Sequence, residues 1–315
     1  MSESKPVVLV TGASGFVGRH VAPALASEGW SVRRAVRSSE GIGDEVIIES
    51  IGPDTNWQAA LEGIDAVVHL AARVHHKREE HAAELYRNVN VAGTLRLARS
   101  ASKAGARQFI FVSTVLVHGR SNEGRAPFCE DDILTPRGIY GMSKVEAEAG
   151  LRTLASNGDM RISAIRPPLV YGAGAKGNFA LLSRAVNLGL PLPFGAIRNQ
   201  RAFLAIQNLT SFILHRLAHP DRASNFEVFL VADREQVSTP EFIERLARAS
   251  GKHPRLFRTS PALLSTLLGV IGGRDMRDSL LGSLELNVSK AIATGWQPQV
   301  SLDEGLRLAL SAQDA

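Results

Sequence analysis

The apolar run Val7–Val10 leads straight into Thr11-Gly12-Ala13-Ser14-Gly15-Phe16-Val17-Gly18, and no other stretch constrains this chain as tightly. A β-branched run reads as a buried strand, and the pattern from Phe16 to Glu28 reads as a helix stopped by Gly29. Glycines at the strand-to-helix turn each have a physical task. Gly12 permits the tight turn, Gly15 lets backbone approach an anionic ligand, and Gly18 lets the helix pack closely on the sheet. The free N–H groups at the helix start then suit a pyrophosphate, which points to a dinucleotide. The next strand, Ser31–Val36, is followed by Arg37, with Arg33 and Arg34 inside it and no acid at its end. An acid there would hold a ribose 2′-hydroxyl, whereas an arginine accommodates a 2′-phosphate. NADP(H) is therefore favoured over NAD(H), with Arg37 as the contact.

The same alternation continues. Strands are expected at Val46–Ile48, Ala66–His69, Phe109–Ser113 and Arg161–Arg166, and helices at Ala82–Ala104 and Tyr140–Ala155. Strand–helix repetition implies an α/β fold with a doubly wound parallel sheet of the Rossmann type, because parallel strands need crossover connections. Pro23 should kink the first helix without ending it. After Pro167 the pattern loosens, with helices expected at Phe179–Asn187, Leu209–Ala218, Thr239–Ser250 and Ser260–Ile271. The expected division is residues 1–170 for the dinucleotide domain and 171–315 for a smaller mixed α/β substrate portion, some of it returning to the first. The polar, turn-rich segment Gly119–Gly138 reads as a mobile loop.

Tyr140-Gly141-Met142-Ser143-Lys144 places a tyrosine and a lysine four residues apart, hence on one helix face. An ammonium beside a phenol favours phenolate, which would let Tyr140 exchange a proton with a substrate hydroxyl or carbonyl. Ser113 and Thr114 end a strand at the sheet edge where ligands bind, so either hydroxyl can reach a substrate oxygen.

Taken in order, Thr11–Gly18, His69-Leu70-Ala71-Ala72, Asn90-Val91-Ala92-Gly93-Thr94, Ser113-Thr114, Tyr140–Lys144 and Arg166-Pro167-Pro168-Leu169-Val170-Tyr171-Gly172 resemble the extended short-chain dehydrogenase family. Within it the chain is similar to the nucleotide-sugar epimerases, dehydratases and ketoreductases. The resemblance covers nearly the whole sequence. It implies Tyr140 as acid/base, Lys144 as its activator and nicotinamide-ribose ligand, and Thr114 as the substrate-binding hydroxyl with Ser113 beside it. It further implies that Phe16 and Val17 flank the pyrophosphate and that Leu70, Ala71, Ala72 and Asn90 line the cofactor channel. By the same resemblance Pro167 and Val170 border the nicotinamide, and Gly12, Ser14, Gly15 and Gly18 form the cofactor loop.

The C-terminal part carries the resemblance onward. Asn178-Phe179 falls where the family contacts a diphosphate, Pro191-Leu192-Pro193-Phe194-Gly195 where it holds a uracil, and Gln200-Arg201-Ala202-Phe203 where it presents an arginine to the diphosphate. Arginine suits that task because its fork pairs phosphate oxygens bidentately. Arg73 also falls by the substrate. A second diphosphate arginine is expected at Arg274 or Arg277. The family's dehydratases carry an Asp-Glu pair after the threonine; here Val115 and Leu116 stand there and cannot transfer protons, which disfavours a 4,6-dehydratase. A 4-ketoreductase of UDP-4-keto-6-deoxy-N-acetylhexosamines, as in surface-polysaccharide synthesis, is preferred to a UDP-sugar 4-epimerase, partly because no acid follows the second strand. Reductases of small ketones or hydroxysteroids form a further alternative, against which Arg201 and Asn178 speak. A redox-sensing binding protein would have no use for the Tyr140–Lys144 pair.

Other classes are disfavoured. The net charge of +5 is dispersed rather than blocked, which argues against nucleic acid and suits polyanionic small ligands. Cys129 is the single cysteine, so no intrachain disulfide forms. No signal peptide reads near Met1–Pro6, and the apolar stretch Ala262–Ile271 is too short to span a bilayer, so a cytoplasmic protein is expected. His75, His76 and His81 lack a metal-ligand spacing, and no metal is expected. His118 stands where the family has tyrosine and is assigned no role. A homodimer through the helices Ala82–Ala104 and Tyr140–Ala155 is expected from the resemblance.

Overall fold

The computed structural model describes residues 5–74, 82–220, 223–271 and 273–311, with the side chains of 271 and 273–276 left aside. In chain order the strands are β1 (Val7–Thr11), β2 (Ser31–Val36), β3 (Asp44–Ile47), β4 (Ala66–His69), β5 (Gln108–Val112), β6 (Arg161–Arg166), β7 (Leu169–Tyr171), β8 (Phe203–Ala205) and β9 (Phe226–Leu230). The helices are α1 (Phe16–Ser27), α2 (Gln58–Leu61), α3 (Ala82–Tyr86), α4 (Thr94–Lys103), α5 (Gly138–Ser156), α6 (Asn178–Asn187), α7 (Ile206–Ala218), α8 (Thr239–Ala249), α9 (Pro261–Ile271), α10 (Gly273–Leu281), α11 (Ser289–Ala293) and α12 (Leu302–Ser311). A seven-stranded sheet runs in the order β3-β2-β1-β4-β5-β6-β9, parallel from β3 through β6, and β7 pairs with β8 in a separate two-stranded sheet.

The chain divides into two compact units. The first comprises Met1–His118, Ile133–Arg166 and Thr210–Phe229; the second comprises Gly119–Asp132, Pro167–Leu209 and Leu230–Ala315. In the first unit the central strands are buried on both faces, which is why they read as unbroken apolar runs rather than alternating ones. Leu9, Val67, Phe109, Phe111, Ile162 and Ala164 form the core with Leu97, Ala147 and Leu151 from α4 and α5. The helix α1 continues past Pro23, whose ring is exposed, to Ser27.

Two expectations change in the structure. The helical stretch 82–103 is not uniformly α: a π-helical segment, Arg87–Gly93, separates α3 from α4. Gly93 lets this segment pack closely on residues 51–52, since a Cβ there would lie 2.6 Å from Ile51 Cγ2 and 3.1 Å from Gly52 N. The segment 119–132 is tethered within the second unit rather than left as a free loop. Asn122 donates its backbone N–H to Ser283 O and accepts from Glu285 N, while the buried Phe128 bridges to Leu286. Its polar residues satisfy backbone groups, which composition alone reads as solvation.

Gly18 makes the sharpest demand on the first crossover. A Cβ there would stand 2.2 Å from Gly12 O and 2.6 Å from Ala13 Cα, both backbone atoms that cannot swing away. Gly18→Ala is therefore expected to lower unfolding free energy by about 1–3 kcal/mol through overpacking, read as a lower urea midpoint at unchanged slope.

Candidate active site

The β1–α1 turn builds an anion cradle. Gly12 adopts φ +70° and lies so close to the end of β4 that a Cβ would meet Ala71 N at 2.8 Å. Gly15 N donates to Gly12 O (2.9 Å), closing the turn, and Gly15 caps α1 without a side-chain bond. The cap therefore leaves N–H groups at the start of α1, by Phe16 and Val17, for a ligand. Leu70, Ala71, Ala72 and Arg73 follow β4 in half-buried positions beside this turn, and Ser14 flanks it. Thr11 Oγ1 holds that junction, lying 2.6 Å from His69 Nδ1 and 3.4 Å from Ala71 N. His69 also meets Thr94 Oγ1 at 2.9 Å, and burial, seconded by the Lys144 charge, pushes its pKa down to about 3, so the imidazole is neutral. These residues fit a dinucleotide: small, close to backbone, and ending in free donors.

Asn90, in the π-helical segment, clamps the same loop. Its Oδ1 accepts from Arg73 N (2.8 Å), and its Nδ2 donates to Arg73 O (3.1 Å) and to Ser143 Oγ (3.0 Å). Ser143 Oγ in turn donates to Tyr140 O (2.8 Å), so the loop after β4 is tied to the first turns of α5. Tyr86 packs edge-on against Tyr140, with ring centroids 6.5 Å apart, and donates its hydroxyl to Val74 O.

Three arginines on or after β2 have different fates. Arg33 donates to Asp44 and to the carbonyls of Ala59, Ala60 and Glu62. Arg34 is buried between Glu40 and Glu45. Arg37 is exposed at the C-terminal end of β2. The loop carboxylates are already engaged: Glu45 Oε2 accepts from Ser39 Oγ, Glu40 N and Gly41 N, and Glu40 pairs with Arg34.

Tyr140 and Lys144 share one face of α5, as the spacing requires. Lys144 is almost fully buried; its Nζ donates to Val112 O (2.8 Å), lies 4.3 Å from the centroid of Phe111 and 6.0 Å from that of Tyr140. Burial pushes the ammonium down to about 7, partly opposed by Glu148. The expected depression of the Tyr140 pKa is opposed by burial. Burial, seconded by Tyr86, holds the phenol well above its ordinary value, because the Lys144 charge is itself desolvated and directed at a carbonyl.

Ser113 follows β5. Its hydroxyl donates to Glu148 Oε1 (2.5 Å), a buried partner that its place at a strand end does not announce. Glu148 takes a fork from Arg166, with Nη2 at 2.6 Å from Oε2, and Arg166 Nη1 lies 2.9 Å from His118 Nε2. Thr114 Oγ1 accepts from Leu116 N (3.3 Å), capping a 3₁₀ turn at Val115–Val117. Sequence reasoning gave no role to Glu148 or to Arg166, which it met only as the start of a motif. The signal for Glu148 was present, since it follows Lys144 by one further turn on the same face.

The second unit gathers other expected residues. Asn178, Phe179 and Arg201 line one cavity of about 20 Å³, room for a single water, together with Thr239 and Ser279. Asn178 Nδ2 donates to Ser279 Oγ (2.7 Å), and Arg201 donates to the carbonyls of Asp278 and Gly282 at the end of α10. Burial alone lowers Arg201 to about 10. The rings of Phe179 and Phe194 are buried, Phe179 against Tyr171 and Phe242, which leaves their backbone rather than their rings for ligand contact. Leu192 bridges to Leu256; Pro167 is buried and Val170 pairs with Leu204. Arg277 pairs with Asp278, and the side chain of Arg274 lies outside the described residues, as do His75, His76 and His81. Among the described residues no three His, Cys, Asp or Glu side chains gather as a metal site, and no helix is long and apolar enough to cross a membrane.

The model of the NAD dependent epimerase/dehydratase family matches residues 8–232, which span the glycine cradle, Tyr140, Lys144 and Arg201. The chain belongs to this family. It is 39% identical to a UDP-glucose 4-epimerase of Vibrio cholerae over 95% of its length and 93% of the relative's. Among solved structures it resembles MoeE5 in complex with UDP-glucose and NAD, at 25% identity, TM-score 0.79 and 98% coverage of both chains. It also resembles RMD from Pseudomonas aeruginosa complexed with NADPH, at 25% identity, TM-score 0.76, covering 98% of this chain and 99% of that one. The chain is thus an NAD(P)-dependent enzyme of the epimerase and reductase family, with the expected parallel Rossmann-type sheet.

The buried ammonium yields a prediction whose sign can be worked out. Lys144 has a folded pKa near 7 and an unfolded one near 10.5, so between these the unfolded chain binds the extra proton. Stability of the ligand-free protein is then expected to rise as pH increases from about 7 toward 10. Chemical denaturation across that range should show the rise in the wild type and a flatter profile in Lys144→Met.

Proposed function

We propose that the protein is a 4-ketoreductase of a UDP-linked 4-keto-6-deoxy-N-acetylhexosamine, using NADPH in preference to NADH. The observation that carries this reading is Arg37, exposed at the end of β2 while Arg33 and Arg34 are engaged and the loop carboxylates are already taken. A cation there suits a 2′-phosphate, and a phosphorylated, exchangeable cofactor suits reduction. When bound, NAD(P)H supplies the hydride. Gly12, Gly15 and the start of α1 would bind its pyrophosphate, and Leu70, Ala71, Ala72 and Asn90 would border it.

The remaining chemistry belongs to α5 and its surroundings. Tyr140 would donate its phenolic proton to the C4 carbonyl oxygen as that carbon becomes a carbinol, and then regain a proton from solvent. A phenol held above its ordinary pKa is fully protonated at neutral pH, as a proton donor must be. Lys144 would steady the resulting phenolate and bind the nicotinamide ribose, and Thr114 would hydrogen-bond the same substrate oxygen. In the second unit Arg201 and Asn178 would take the diphosphate. Arg201 is a buried cation meeting carbonyls, so an arriving phosphate gains a strong partner. The cavity holding both must widen to admit it.

A second reading, 4-epimerisation of a UDP-hexose, is favoured by the 39% identity to the Vibrio cholerae relative. The same residues would then work in both directions on a retained cofactor.

Mixing purified protein with reduced cofactor and a UDP-4-keto-6-deoxy-N-acetylhexosamine should consume one cofactor per sugar. Interconversion of UDP-glucose and UDP-galactose without added reductant would overturn the ketoreductase reading in favour of the epimerase. Tyr140→Phe should lower kcat about 10²- to 10⁴-fold, the span expected for loss of general acid catalysis. Arg37→Asp should lower kcat/KM with NADPH and spare it with NADH.

A further inference from the structure

The helix α9 carries no charged residue between Pro261 and Ile271. It buries Leu264 and turns a stripe about a quarter-turn away outward: Leu263, Leu267 and Val270 are 64%, 48% and 81% exposed at i, i+4 and i+7 spacing. The stripe does not stand alone. Phe257, just before the helix, is also exposed. Residues 255–257 are laced to 189–195, with Leu192 N donating to Arg255 O (2.7 Å), Phe257 N to Leu192 O (3.0 Å) and Arg255 Nη1 to Gly189 O (3.3 Å). That neighbouring segment adds the exposed Leu188 and Leu190. A monomer gains nothing by presenting so many large apolar side chains to water, and such patches mark contact surfaces.

The charge around the patch decides what the contact is. Lys252, His253, Arg255 and Arg258 are exposed on the approach to α9, and Arg184 is exposed on α6 just before Leu188. No aspartate or glutamate occurs from Arg161 to Pro220 or from Arg245 to Arg274, so nothing acidic in either segment offsets them. An apolar stripe flanked by arginine and lysine complements an interface whose surface is anionic and whose interior is hydrocarbon. A twofold contact between two copies would instead bring like basic flanks together. Eleven residues of helix reach about 16 Å, half of a ~30 Å hydrocarbon core, so α9 can lie in the interface but not cross it.

We propose that α9 and its basic flanks form a membrane-surface docking site that seats the enzyme on a bilayer rich in anionic headgroups. Leu263, Leu267 and Val270 enter the boundary of the acyl chains, and Arg255, Arg258 and Lys252 meet headgroup phosphates.

The test uses the full-length protein sedimented with phosphatidylcholine vesicles, with or without an equal share of phosphatidylglycerol. Wild type should pellet with the mixed vesicles, much less with phosphatidylcholine alone, and less at high salt. Leu263→Asp/Val270→Asp should abolish pelleting. Arg255→Glu/Arg258→Glu should weaken it at least thirtyfold, at about tenfold per 1.4 kcal/mol and about 1 kcal/mol per neutralised charge. All four positions are exposed, and an unchanged melting temperature will confirm that the variants fold. Failure of wild type to bind the mixed vesicles overturns the proposal. So does a Leu263→Asp/Val270→Asp variant that binds vesicles normally but sediments at half the wild-type mass, which would make the face a contact between copies.

Discussion

The ion pair between Glu148 and Arg166 holds the reactive end of the first unit together. Both side chains are almost fully buried, and the arginine fork occupies both carboxylate oxygens. Burying two charges is costly, and the cost is offset here by hydrogen bonds on both carboxylate oxygens and on the guanidinium, with Ser113 and His118 adding to the set. The pair links α5 to β6, and Ser113 brings the end of β5 into the same knot. Because Tyr140, Lys144 and Glu148 lie on one face of α5, fixing Glu148 fixes the rotation of the helix that carries the other two. Removing one partner would strand a buried charge, at about 3–5 kcal/mol, and free that rotation.

Around this knot the site keeps several groups away from their comfortable protonation states. Lys144 is held near 7 and His69 near 3, both mainly by burial, while Tyr140 is held upward. In the second unit Arg201 is lowered to about 10 for the same reason. Each is a polar group removed from water and given carbonyls, hydroxyls or aromatic faces where a charged partner would be more favourable. Perturbed groups of this kind concentrate where proteins bind and react.

The sequence was most legible where the physics is local. The glycine turn, the strands through β6 and the four-residue step from Tyr140 to Lys144 depend on neighbours in the chain, and spacing alone located them. What it hid was long-range. Arg166 is 18 residues from Glu148 and 48 from His118, so no periodicity announces that they meet. Ser113 illustrates the point: its place at a strand end says nothing of Glu148, the partner of its hydroxyl 35 residues on. The three-residue strands β7 and β8 are too short to impose a pattern. The π-helical turns at Arg87–Gly93 cannot be told from α by apolar spacing over so short a span. Asn122 and Phe128 show how a turn-rich stretch can be pinned by contacts that composition does not reveal.

The proposed activity is one chemical event, delivery of a hydride from an exchangeable cofactor to C4 of a nucleotide-linked keto sugar. The most direct measurement is a single turnover with NADPH deuterated at the transferable position of C4, followed by mass and NMR analysis of the sugar. Deuterium at C4 of a newly formed carbinol, one atom per cofactor oxidised, is the predicted result. A sugar that changes configuration at C4 while taking up no deuterium from the added cofactor would contradict it.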